Sequence, residues 1–145
     1  MIYSIIVFIH VISAILSIGP FFVLLPMLKK MRTTENHHAL EAYVGTFSTA
    51  IRIVKHAGHV LVTTGLLAMW LGGWNLMTSW IVMTFAVMIS SIVFLASAFK
   101  PTIRTFNTPE FDQQQFINKL VKSVWIYIVL LSIMLWFMVA KPTLW

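Results

Sequence analysis

The chain has 145 residues, of which 59% are hydrophobic and only 10% charged. That composition leaves too little polar surface for a water-soluble domain and places the chain among integral membrane proteins. Cysteine is absent, which excludes disulfides, thiolate metal sites and thiol redox chemistry, and the net charge of +6 raises the question of where the positive charges sit.

Crossing a bilayer core of about 30 Å takes about 20 helical residues. Apolar stretches predict four such helices over about 3–28, 51–73, 79–99 and 122–140, with longer connections over about 29–50 and 100–121. The expected fold class is all-α: an integral membrane four-helix bundle forming a single transmembrane domain. The first stretch is too long for a signal-peptide core and lacks a basic leader and a small-residue cleavage pattern, so it is expected to be retained as a helix.

Within that first helix, "VFIHVISAILSIGPFF" carries His10 in an otherwise apolar run. At 100° per residue, His10, Ser13, Ala14 and Ser17 share one narrow face, with Tyr3 and Phe21 extending it. A face of small residues admits another helix or a flat ligand, so His10 is expected to point into the bundle. Gly19-Pro20 predicts a kink farther along. The segment "KKMRTTENHHALEAYVGTFSTAIR" has helix-forming composition and is expected to extend the second helix beyond the membrane. His37 and His38 in it read as solvated.

On the second helix Arg52, Lys55, His56 and His59 recur as one polar face, continued by Thr63 and Trp70. Opposite the His10 face, these residues predict a pocket. The short "GGWNLMTS" connection follows, then the third helix, which Pro101 is expected to end. Thr108-Pro109-Glu110 reads as an N-cap, a first-turn proline and an acid at a positive helix end, so the fourth helix is expected to begin there.

Nine of the ten lysines and arginines (Lys29, Lys30, Arg32, Arg52, Lys55, Lys100, Arg104, Lys119 and Lys122) lie in or beside the two longer connections, and Lys141 is the exception. This asymmetry predicts that both connections are cytoplasmic and both termini outside. Tyr3, Trp70, Trp74, Trp80 and Trp145 would form the outer aromatic belt. The basic charge is thus accounted for by topology and calls for no nucleic acid. "KKMRTTEN" with "KPTIRTFN", and "RIVKHAGHVLV" with "NKLVKSVWIYIV", hint at a duplicated helical hairpin. A GxxxG-like dimer signal is absent, which leaves Gly58 and Gly65 as the residues available for a homo-oligomer interface.

Zinc wants three or four N, O or S ligands, and all four acids lie in the connections, so zinc is disfavoured. Copper on histidine and methionine is an alternative, with Met69 and Met83 in the outer half. Haem needs only one or two axial ligands, an apolar slot and cations for its propionates. His10, His59 and the Ser/Ala face that includes Ser17 supply the first two, Arg52, Lys55 and His56 stand at the polar end, and Trp70 is a wall. An ionisable residue inside a bilayer is costly and by default functional, although a buried imidazole can also serve only as a hydrogen-bonding link between helices.

"FIHVISAILSIGPFFVLLPMLKK", followed by Arg52, Gly58 and Thr64-Gly65, resembles a group of small bacterial four-helix membrane proteins that includes the HemJ-type protoporphyrinogen oxidases and the CopD-like copper-resistance domains. The resemblance implies a haem-type bundle with His10 matching the haem-associated histidine of the first helix. Val82 stands where the oxidases carry a lysine, so the resemblance implies the haem-type bundle and no particular reaction. The expected function is a b-type haem protein in electron transfer or tetrapyrrole metabolism with a quinone or respiratory-chain partner. If it is an enzyme, it is expected to be an oxidoreductase acting on a porphyrinogen. The alternatives are a copper-handling membrane protein and a cofactor-free structural or assembly subunit.

Overall fold

The computed structural model describes all residues, Met1 to Trp145, as four helices with no strand: α1 (Ile2–Thr33), α2 (His37–Leu71), α3 (Ser79–Arg104) and α4 (Gln113–Ala140). The expected connections at 29–50 and 100–121 are therefore mostly helix, and the true links are short: 34–36, 72–78 and 105–112. α1 packs along α2 and α3 along α4, and the two hairpins meet chiefly through α1 and α4.

Two helix ends differ from expectation. α3 passes Pro101 and stops at Arg104. The proline removes one backbone donor, but Ile103 and Phe106 beyond it pack on the core and hold the last turn. The fourth helix starts not at Thr108 but after Asp112, whose carboxylate accepts from the Gln114 N–H at 3.1 Å. The neighbouring side chains decide this start. Phe111 and Phe116 stack edge-to-face at 5.2 Å across the first turn, a hydrophobic staple that Thr108 has no means to form. In α1, by contrast, Pro20 and Pro26 both lie inside one continuous helix.

Only 26 of the 145 residues are buried, while large apolar side chains such as Phe8, Val23 and Trp136 are mostly exposed. A surface of this kind is unstable in water and at ease in lipid. α1, α3 and α4 are long and apolar enough to cross a membrane, which makes the chain a multi-pass membrane protein by length and composition. α2, expected to be equally apolar, does not reach that standard, because Arg52, Lys55, His56 and His59 interrupt its middle.

Packing is uneven along the bundle axis. From the middle of the bundle toward the end holding links 34–36 and 105–112, the closed end, Phe21, Phe47, Phe99 and Tyr127 form a buried aromatic cluster with ring centroids 4.8 to 6.2 Å apart where they touch. Side-chain bonds tie α1 to α4 there. Gln113 Nε2 donates to the carbonyls of Met31 (2.8 Å) and Thr34 (2.9 Å), and Arg32 donates to Asn118 Oδ1 at 2.8 Å. At the open end, which holds both termini and link 72–78, the helices part around a cavity.

Candidate functional site

The cavity encloses about 480 Å³ and receives side chains from all four helices. Eighteen of its 22 lining residues are hydrophobic. Its polar groups are few: His10 and Tyr3 on α1, Thr84 on α3, and Lys141 just beyond α4. Trp74 and Trp80 stand edge-to-face at 5.5 Å beside the mouth.

His10 is half-buried on the face of α1 that meets α2. Its Nδ1 lies 3.0 Å from the Leu61 carbonyl oxygen and 3.1 Å from Thr64 Oγ1. A carbonyl can only accept, and the Thr64 hydroxyl proton is already directed to Val60 O at 2.7 Å. The network therefore assigns the Nδ1–H tautomer, with a lone pair on Nε2. Nε2 has no partner in the protein, yet no buried side-chain nitrogen lacks one, so Nε2 is accessible, on a residue that lines the cavity.

Gly65 makes this arrangement possible. A Cβ at that position would stand 3.0 Å from His10 Cε1, so a larger residue would displace the ring. Four residues on, Met69 lines the cavity, joined by Met88 from α3 and Met138 from α4.

The other expected residues are not brought to this place. α2 meets its neighbours through Val54, Ala57, Leu61 and Thr64. His59 is two residues from both Ala57 and Leu61, hence about 200° around the helix from each, and it is exposed. Arg52 and Lys55 share that outward side and are exposed as well. The expectation that His10 and His59 converge, with Arg52 and Lys55 facing the same ligand, is thus corrected: Arg52, Lys55 and His59 turn away from α1. His56 borders a second, apolar groove between α1 and α2, beside Ser13 and Ala57, and not the cavity.

Ser17 is 2% exposed and donates to Ser13 O at 2.8 Å, so it serves close packing of α1 and does not line the cavity. Trp70 is 76% exposed, and the walls assigned to it are Trp74 and Trp80. Gly65, which the sequence left available for an interface between copies, faces His10 of its own chain. Met88, Met138 and Lys141 were not anticipated at the site. The spacing Leu61, Gly65, Met69 was the signal available on α2, since i, i+4 and i+8 share a face.

No group of three or more His, Cys, Asp or Glu side chains that could hold a metal ion is formed. No protein family, curated protein or solved structure matches the chain.

Proposed function

We propose that this chain is a b-type haem-binding integral membrane protein, acting in electron transfer or tetrapyrrole metabolism. The carrying observation is His10: its Nδ1–H is held by the Leu61 carbonyl, which leaves Nε2 as a ligand in an apolar cavity. A metal-binding histidine characteristically donates its other ring N–H to a backbone carbonyl or carboxylate, which fixes tautomer and orientation.

The residues fit the group in size and character. A cavity of about 480 Å³ falls in the range of about 300–1,000 Å³ common to cofactor sites. Apolar walls with Phe85, Trp74 and Trp80 suit a flat macrocycle. His10 would hold the iron, with Met69, Met88 or Met138 as the thioether partner in place of His59. Bound haem supplies one-electron chemistry, while Gly65, Leu61 and Thr64 orient the imidazole and the side chains around it exclude water.

The resemblance to the HemJ-type and CopD-like group supports the same reading, and with Val82 at the third-helix lysine position it favours electron transfer over porphyrinogen oxidation. A quinone or another respiratory-chain component is the expected partner. A copper-handling role is the second reading, favoured by one observation: His10 and three methionines line one cavity, a soft donor set.

For topology, we take α2 as a fourth crossing, since it packs antiparallel along α1 and its linking turn is only three residues long. The basic side chains gather toward the closed end, so that end is cytoplasmic and both termini are outside. The two hairpins are read as a duplicated pair.

The test is the visible spectrum of detergent-purified protein reconstituted with haem. A Soret band that is lost in His10→Ala is expected. Absence of a Soret band from the wild type would exclude this function, haem that binds equally well without His10 would remove His10 as its ligand, and copper retained by His10-containing protein without a haem spectrum would favour the second reading.

A further inference from the structure

The apolar cavity holds a single permanent charge. Lys141 ends α4, and its ammonium lies 4.9 Å from the ring centroid of Trp74 and 5.4 Å from that of Trp80, both of them cavity walls. The backbone that delivers it is unusual. Lys141 is in the left-handed region (φ 46°, ψ 54°), with its N–H donating to Phe137 O at 3.1 Å. Glycine or asparagine occupies such a helix-ending position at lower cost.

The residues on either side hold this conformation in place. Ser79 Oγ donates to Pro142 O at 2.9 Å and accepts from the Leu144 N–H at 3.0 Å, while Trp145 Nε1 donates to Met77 O at 2.9 Å. Three bonds therefore strap the chain after Lys141 to the start of α3 and the last residues of the link before it. The indole faces steady the ammonium without neutralising it, because the cation–π attraction leaves its positive charge available.

We propose that Lys141 is the anion-recognition group of this cavity, so that the ligand is an apolar molecule bearing a carboxylate, seated with the carboxylate at the open end. The inference rests on the haem reading for the ligand's identity: in a haem the carboxylates are the propionates, and Lys141 takes the role first expected of Arg52 and Lys55. Lys141 is a positioning residue with no part in iron ligation.

The experiment titrates wild type, Lys141→Asn and Lys141→Arg in detergent with metal-free protoporphyrin IX and with its dimethyl ester, following porphyrin fluorescence. Asparagine tolerates the left-handed backbone, so the fold is kept while the charge is removed. Wild type is expected to bind the diacid roughly fivefold tighter than the diester, as suits a partly solvated charge pair. Lys141→Arg is expected to retain that preference, and Lys141→Asn to lose it. Equal binding of the two porphyrins by wild type, a preference that survives in Lys141→Asn, or failure of wild type to bind either would overturn the proposal. Because these porphyrins carry no iron, the outcome is separate from ligation. A diacid preference that depends on Lys141 supports this inference even where haem binding proves indifferent to His10→Ala.

Discussion

An imidazole in hydrocarbon must have its hydrogen-bonding groups occupied, and at His10 one of the two is occupied by Leu61 O and Thr64 Oγ1. The other remains for a ligand. The position depends on the absent side chain of Gly65: with a Cβ placed 3.0 Å from Cε1, Gly65→Ala is expected to push the ring by a few tenths of an ångström and to weaken haem retention while the helix, relieved of a glycine, holds or gains stability. Haem titration alongside thermal unfolding in detergent separates the two effects. His59→Ala, on the outward side of α2, is expected to leave the haem spectrum unchanged, and a shifted reduced spectrum would bring His59 back as a ligand. The presence of a polar residue in the lipid span was legible at both histidines. Which of them faces inward was not, because that depends on the rotation of α2 against α1, set by Val54, Ala57, Leu61 and Thr64 together.

Two of the four helices begin at a side-chain cap, α2 at Asn36 and α4 at Asp112. Asp112 with the Phe111–Phe116 staple starts α4, so Asp112→Ala is expected to cost about 1 kcal/mol, whereas Thr108→Ala should be nearly neutral. Chemical unfolding in mixed micelles measures both. In the closed-end core, Phe21 is fully buried against Phe99 and Tyr127. Phe21→Ala is expected to cost about 3–5 kcal/mol by the same measurement, and haem affinity to change less than in Gly65→Ala, since Phe21 itself does not line the cavity. The positions of four helical segments could be read from hydropathy within a few residues on the membrane side. Their extensions toward the closed end were legible in outline, in the helix-forming stretch before Arg52 and an early start for the fourth helix, but not their ends, because there the helices are held by contacts such as Gln113 to Met31 O and Thr34 O, between residues 82 and 79 positions apart.

Taken whole, the bundle is closed by packing at one end and open at the other. Basic residues gather toward the closed end, and Trp74, Trp80 and Trp145 lie at the open one. Since the chain lacks cysteine, single cysteines introduced at Asn75 and at Glu35 report topology directly. Asn75→Cys is expected to react with a membrane-impermeant maleimide on intact cells, and Glu35→Cys only after the membrane is opened. The reverse labelling would invert the orientation and place the cavity mouth on the cytoplasmic side. In either orientation the cavity mouth stays beside Lys141, because the strap from Ser79 to Pro142 and Leu144 is internal to the protein.

By itself the sequence determined the class of solvent, the helical content and the rarity of His10, because those follow from local composition and from the cost of a polar group in lipid. Only the tertiary structure decided the company His10 keeps. A helix presents every direction around its axis, and the turn of α2 that brings Gly65 and Met69 inward is chosen by shape, at Gly65 by the space an imidazole needs beside a backbone without a Cβ. The same holds for Lys141: one cation at the end of an apolar helix looks like an ordinary interfacial residue until the fold sets it over two indoles at a cavity mouth.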